Sequence, residues 1–278
     1  MLRLLASRHT PETLPYHIIV PSLPGYTLSA NLPTAKDFTL EDAATILDSL
    51  MCDLGFSKSG YVVQGGDVGS KIARVLGGTQ PRAKAIHLNY CIMPKPADLD
   101  DSDPASYNEL DKAGIAKSER FKTFDSAYAL EHATRPSTIG LVLSSSPLAL
   151  LAWIGEKFLE WTDVSPPLHT ILEDVTLYWL TNCAGSCFWP YRQLYTPGNA
   201  GCHEKPEWYI NKPLGFSWFP KEIAPVPRAW AEKTGKLVWF RQHSAGGHFA
   251  AMERPEVLLG DLESFFGEVW EGVKGQGK

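Results

Sequence analysis

The sequence is poor in the features of disulfide-stabilised and membrane-spanning proteins. Five cysteines among 278 residues are too few for a disulfide framework, so a reducing compartment, the cytoplasm, is the expected location. The apolar run 148–155 falls far short of the ~20 residues that a membrane helix needs. Residues 1–12 also lack the apolar stretch of a signal peptide. We therefore expect no membrane span in this chain.

Basic runs and metal-ligand spacings are also missing. With a net charge of -5 and no basic run of five or more residues, the chain is not expected to bind nucleic acid. Cys183, Cys187, Cys202 and His203 are the strongest zinc candidates. However, adjacent Cys202 and His203 cannot easily point at one ion, and no second close pair with zinc-finger spacing exists. We expect no metal and no other cofactor.

The apolar runs that are present predict an α/β protein. They are near-continuous rather than alternating, which favours parallel strands covered on both faces. Strands are predicted at 17–23, 61–65, 83–93 and 236–243. Thr39 and Asp42 predict a capping box that opens a helix ending near Leu54.

A helical insertion interrupts this pattern. Residues 95–180 are mostly helical in pattern and rich in aromatics, and the segment from 253 closes the chain as an amphipathic helix. The expected domains are an α/β core, 1–94 and 181–278, and a helical cap, 95–180.

The stretch YVVQGGDVGSKIARVLG, residues 61–77, predicts a strand, a glycine-lined turn and a helix. This is the pattern small-x-nucleophile-x-small, with Gly65 and Gly69 as the small residues and Asp67 in the nucleophile position. A carboxylate is already anionic and can displace a group from an sp3 carbon, leaving an alkyl ester. A base is then needed for hydrolysis of that ester. The alternative is that Asp67 merely caps the helix.

The remaining members of a hydrolase triad have candidates in the expected chain order of nucleophile, acid and histidine. His248 lies between a glycine pair and the final helix. The acid candidate is Glu222, 26 residues earlier (248 − 222). Asp163 and Asp174 are weaker candidates because they lie in or near the helical insertion.

Several segments together resemble the epoxide hydrolases of the α/β-hydrolase superfamily, and most closely the branch of the microsomal enzymes and their soluble fungal counterparts. They span almost the whole chain in order. They are VPSLPGYTLS (20–29), QGGDVGS (64–70), HLNYCIMP (87–94), RPSTIGLVLSSSPLALLAWIGEKFLEW (135–161), PLGFSWFPKEIAPVPRAW (213–230) and GGHFAAMERPE (246–256).

The resemblance implies an α/β-hydrolase fold and the opening of an epoxide to a vicinal diol. Asp67 would attack a ring carbon, and His248, oriented by Glu222, would activate the water that cleaves the ester. Two tyrosines would donate to the ring oxygen. Tyr128 matches the first of them and Tyr191 the second.

Two other tyrosines, Tyr178 and Tyr195, remain alternatives for the second position. The implied substrates are water and a small apolar or aromatic epoxide, in detoxification or other epoxide metabolism. Aromatic residues suit such a substrate: Trp153, Phe188, Trp189 and Trp218.

One family motif is absent. Family members carry a His-Gly-x-Pro segment that supplies an oxyanion donor, and this sequence has no His-Gly dipeptide. The first strands of the family are therefore expected to be missing, including one between 17–23 and 61–65, and the Val68 N–H would be the remaining donor. A shortened gene product or a mispredicted start is the hypothesis, with poor folding or low activity if Met1 is the true start.

Two other functions remain open. A haloalkane dehalogenase also uses an aspartate on this turn, but it typically has a Trp next to the nucleophile, where this chain has Val68. The other possibility is a degenerate, catalytically impaired hydrolase fold that serves as a binding protein.

Overall fold

The central sheet consists of four parallel strands. The computed structural model describes residues 1–269 except 31, 33, 34, 100–106, 197, 198, 201 and 202, and it describes no side chains at 195, 196, 199 and 200. The strands are β1 (Tyr61–Gly65), β2 (Ala83–Leu88), β3 (Tyr195–Thr196), β4 (Asn199–Ala200), β5 (Ile210–Trp218) and β6 (Gly235–Gln242). The sheet order is β1-β2-β5-β6, while β3 and β4 form a small separate antiparallel pair.

Helices cover the sheet and fill the segment between β2 and β5. They are α1 (Leu2–Arg8), α2 (Leu40–Met51), α3 (Asp67–Thr79), α4 (Glu109–Arg120), α5 (Ala127–Thr134), α6 (Pro136–Ser145), α7 (Pro147–Glu160), α8 (Leu168–Thr181), α9 (Trp189–Leu194), α10 (Arg228–Ala231), α11 (Ala250–Glu253) and α12 (Pro255–Val269). Because α4–α8 fall within the predicted cap, we call them the cap helices. The exact division into core and cap stays a prediction.

Membrane-helix length is not reached by any single helix of the described residues. Helices α6 and α7 together have the length and apolar composition of a membrane span, but a bend of 114° separates the two helices.

The parallel sheet and the capped helix confirm two sequence predictions. Buried apolar side chains of α3, β2 and β5 form the largest cluster, which explains the near-continuous apolar runs. Helix α2 begins after Thr39, whose Oγ1 accepts from the Asp42 N–H at 3.1 Å, while the Thr39 N–H donates to the Asp42 carboxylate at 3.1 Å. Both halves of the predicted capping box are therefore present.

The strand predicted at 17–23 is wrong. These residues pair with no strand in the described part of the chain, and Ile18, Ile19 and Val20 are 37%, 36% and 69% exposed. A strand is stabilised by a hydrogen-bonded neighbour, and β1 pairs only with β2 among the described residues. Apolar composition could not reveal this, because it carries no information on the neighbour.

Sequence patterns missed β5, the longest strand of the sheet. Its sequence INKPLGFSW contains Pro213 and Gly215, which both disfavour strands. Gly215 is required by packing, since an added Cβ would lie 2.9 Å from the Phe265 ring and 3.0 Å from the His87 ring. The closeness of α12 and β2 therefore explains a residue that weakens the strand signal.

Of the two small residues predicted to flank Asp67, only Gly65 is required by packing in the turn from β1 into α3. A Cβ on Gly65 would overlap the Gly69 carbonyl oxygen and lie 2.8 Å from the Ser70 nitrogen. A Cβ on Gly69 would meet nothing within 4 Å outside its own helix backbone. The need for a small residue, expected on both sides of Asp67, therefore holds sterically at Gly65 and not at Gly69.

We expect Gly65→Ala to lower the free energy of unfolding by roughly 3 kcal/mol, because the strand end must move away from α3. Gly69→Ala is the matched control and should be neutral or stabilising by up to ~1 kcal/mol, as for other helical glycines. Urea unfolding followed by circular dichroism measures both. Equal losses would contradict the steric account of the turn.

Candidate active site

Asp67 is the first residue of α3 and has a strained backbone. Its φ of 43° lies in the left-handed region, which non-glycine residues rarely adopt. Gly66 precedes it as the helix cap, and an added Cβ there would lie 2.8 Å from the Asn89 Oδ1. The half-buried Asp67 is thus held at the N-terminus of a helix, where the dipole favours a carboxylate.

His248 and Glu222 form a buried pair on the loops that follow β6 and β5. The His248 Nδ1–H donates to Glu222 Oε1 at 2.5 Å, and the Ile223 N–H donates to the same oxygen at 2.6 Å. Their residues are 6% and 2% exposed. The bond from Nδ1 leaves the other ring nitrogen, Nε2, available as a base.

The charges around His248 act on its pKa in both directions. Burial lowers the pKa of His248, the Glu222 carboxylate raises it, and the charge of Asp67 raises it further. The net pKa lies above the usual value of histidine. The effect of Asp67 also shows that the carboxylate and the imidazole share one electrostatic environment.

The alternative acids lie elsewhere. Asp163 Oδ2 accepts from the Gly246 N–H at 2.9 Å and so supports the loop of His248 without contacting its ring. Asp174 lies on α8, where burial and then Glu173 raise its pKa. The structure therefore brings Glu222, and not these two, to His248.

Tyr128 on α5 and Tyr191 on α9 pack against each other. Their ring centroids are 5.9 Å apart at an interplanar angle of 77°. Of the alternatives, Tyr178 on α8 packs mainly among side chains of the cap helices, and burial first, then the nearby Cys187 and Cys183 and the charge of Asp67, raises the pKa of its phenol. The side chain of Tyr195 lies outside the described part of the structure.

A tryptophan joins the tyrosines to the histidine. Trp161, just after α7, accepts the His248 N–H on its backbone oxygen at 2.9 Å. Its ring centroid is 5.1 Å from that of His248 and 5.4 Å from that of Tyr128. The acid–base pair and the phenols are thus in one continuous cluster.

Sequence reasoning missed Trp161 and three other residues of this region. Tyr90 lies 5.6 Å, ring to ring, from His248, and the Lys71 Nζ lies 5.2 Å from the Tyr90 centroid. Tyr26 is close enough to Asp67 that this charge, after burial and the nearby Cys187 and Tyr178, raises the pKa of its phenol. The one signal visible in the sequence is a lysine, Lys71, one helical turn after Asp67.

The zinc candidates are involved in other contacts. The His203 ring nitrogens lie 2.9 Å from Ser70 Oγ and 2.9 Å from the Ile92 carbonyl oxygen. Cys183 and Cys187 follow α8 as free thiols, and Cys202 lies outside the described residues. The described residues contain no group of three ligands that could hold a metal ion.

These groups together can carry out covalent hydrolysis. Asp67 offers an anionic oxygen, the phenols offer protons, and the Glu222–His248 pair offers a base. Val68 is the second residue of α3, so its N–H belongs to the first turn, whose amides lack partners within the helix.

No protein-family model matches the chain, but individual known proteins are similar to it. The chain is 45% identical over 95% of its length to a Dothistroma septosporum protein that is named as an epoxide hydrolase. It is 32% identical over 91% of its length to epoxide hydrolase 1 of Sus scrofa. It spans about three fifths of these curated relatives, 61% and 60% of their lengths.

A solved structure gives the same result for the fold. The epoxide hydrolase of Aspergillus niger superposes with a TM-score of 0.90 at 54% identity, covering 97% of this chain and 68% of the other. With its parallel sheet, its aspartate turn and this similarity, the chain belongs to the epoxide hydrolases of the α/β-hydrolase superfamily.

Proposed function

We propose that this chain hydrolyses a small apolar or aromatic epoxide to a vicinal diol through an ester on Asp67. The observation that carries the proposal is the strained Asp67 carboxylate at a helix N-terminus, whose charge acts on the imidazole of the buried His248–Glu222 pair. Its relatives are named epoxide hydrolases, which supports the same reaction. The free cysteines support a reducing compartment such as the cytoplasm.

The first step forms the ester. An Asp67 carboxylate oxygen attacks a ring carbon, and the carbon–oxygen bond of the ring breaks. Tyr128, with Tyr191 beside it, donates a proton to the departing oxygen and is left as a phenolate. Phenols suit this task because they donate to an alkoxide that forms in a pocket sheltered from water.

The second step cleaves the ester. His248 Nε2 accepts a proton from water as the water oxygen attacks the ester carbonyl carbon, and the Val68 N–H stabilises the oxyanion. The intermediate collapses, and the leaving alkoxide takes the proton from His248. Asp67 is released as a carboxylic acid, and the proton it loses restores the phenol.

Formation of the ester on Asp67 also changes the pKa of His248. Since the charge of Asp67 raises the pKa of His248, esterification removes that effect and lowers the pKa of His248 in the intermediate. The histidine is therefore more readily neutral when water must be activated. Of the alternatives, the dehalogenase has less support because Val68, not a Trp, follows Asp67.

The ester itself can be trapped. We expect His248→Gln, mixed with excess styrene oxide, to gain the mass of one epoxide on the peptide that contains Asp67, because ester hydrolysis slows by roughly 10²–10⁴-fold. The double variant with Asp67→Ala should gain no mass. Intact-protein and peptide mass spectrometry measure both. Labelling at another residue, or diol formation by Asp67→Ala, would contradict the proposed nucleophile.

The phenols should act in ester formation only. We expect Tyr128→Phe and Tyr191→Phe each to slow single-turnover ester formation about ten- to hundredfold, with a larger loss when both are replaced. Tyr178→Phe tests the alternative, and Tyr209→Phe, at a residue that is 40% exposed, is the control. A larger effect at Tyr178 than at Tyr191 would reassign the second phenol.

Ester hydrolysis should depend on pH through His248. The rate of ester hydrolysis should rise with pH as His248 loses its proton, which gives one limb of the pH–rate profile. Because the Glu222 charge raises the pKa of His248, Glu222→Gln should move this limb to lower pH. Asp163→Asn should leave the position of that limb unchanged, because Asp163 does not contact the ring. Single-turnover decay of the ester across pH measures both. An unmoved limb in Glu222→Gln would argue against Glu222 as the acid.

A further inference from the structure

The ammonium group of Lys157 is enclosed by aromatic rings in the cap. Its Nζ lies 4.2 Å from the Tyr128 ring centroid, 5.4 Å from that of Trp161 and 5.9 Å from that of Trp153. The two tryptophans lie four residues before and after Lys157, so they share its helix face. The Lys157 side chain is only 13% exposed. The cation is thus held against the rings and largely away from water.

The ion-pair partner of Lys157 faces water instead. The neighbouring Glu156 carboxylate contacts the ammonium, but the Glu156 side chain is 53% exposed. Water therefore screens the carboxylate more strongly than it screens the enclosed ammonium. Glu156 therefore does not fully cancel the charge of Lys157 on the side that faces the rings, where it acts on His132.

We infer that Lys157 tunes Tyr128: its ammonium stabilises the phenolate that remains when Tyr128 donates its proton to the epoxide oxygen. The inference rests on the proposed function of Tyr128. A cation over a neutral ring is attracted by the ring quadrupole, and the attraction grows when the ring becomes negative. Because the interaction strengthens as the proton leaves, it favours the transition state over the bound substrate.

The neighbours of Tyr128 agree with this role. Titratable groups packed against it include His132 on its own helix, with ring centroids 5.5 Å apart, and Tyr191 from α9. Burial, and then the charge of Lys157, lowers the pKa of His132 to about 3, so this imidazole is neutral. The potential of Lys157 therefore already acts on the side chain next to Tyr128, and His132 adds no competing charge.

The test removes the charge and keeps the length of the side chain. In the full chain with Lys157→Met, we expect the Tyr128 phenolate to appear about one pH unit higher and ester formation at neutral pH to be roughly two- to thirtyfold slower. Ultraviolet titration of tyrosinate gives the first value, with the Tyr128 contribution isolated by subtracting the same background carrying Tyr128→Phe. Single-turnover formation of the ester gives the second.

Two further variants separate charge from packing. Lys157→Arg keeps the charge and should restore both the titration and most of the rate. Lys205→Met removes a similar cation, 4.2 Å from the Trp208 ring and away from the site, and should change neither. Lys157→Gln, with the same expected results, replaces the Met variant if circular dichroism shows that the latter does not fold.

The outcomes distinguish this inference from the proposed function. An unchanged Tyr128 titration in Lys157→Met would overturn the inference, even if the rate fell through lost packing. The titration needs no substrate, so it stands if the enzyme reaction differs from the one proposed. If instead Tyr128→Phe formed the ester at the parent rate, the acid role of Tyr128 would fail while a shifted titration still supported the electrostatic coupling.

Discussion

The close approach of β1 to the first turn of α3 is the constraint on which the site depends. At Gly65 the backbone passes so near Gly69 and Ser70 that no side chain fits. This tight passage forces Asp67 into a left-handed conformation and places its carboxylate beside the helix N-terminus. The strain is tolerated because the buried face of α3 packs on the sheet over its whole length.

Parallel topology brings the other two members of the proposed triad to the same edge of the sheet. Asp67 follows β1, Glu222 follows β5 and His248 follows β6, so all three leave the carboxyl ends of parallel strands. Hydrogen bonds between the last two loops fix their spacing, as the Lys221 N–H donates to the Gly246 oxygen at 3.0 Å. A sheet with any of these strands reversed would separate the residues by the length of a strand.

Features set by residues close together in the sequence could be predicted from it, whereas features set by distant residues could not. The turn around Asp67 and the capping box of Thr39 are set by residues within a few positions of each other, so a pattern suffices to find them. By contrast, β5 was missed because its glycine is required by Phe265, about fifty residues later.

The strand predicted at 17–23 failed for the converse reason. Its apolar residues have the right composition, but a strand also needs a partner, which only tertiary structure provides. Lys157 was overlooked in the same way, since its aromatic surroundings include a tyrosine from another helix.

Charge moves across the site during the proposed reaction, and the structure is polarised to match it. Before the reaction, the negative charge lies on Asp67, where the dipole of the helix N-terminus stabilises it. The same charge raises the pKa of His248. After ring opening, it lies on a phenol of the cap, where Lys157 is the adjacent cation. In the proposed reaction, the helix N-terminus at Asp67 and the ammonium of Lys157 thus stabilise the two ends of one charge transfer, and this role accounts for a cationic side chain in an otherwise aromatic cluster.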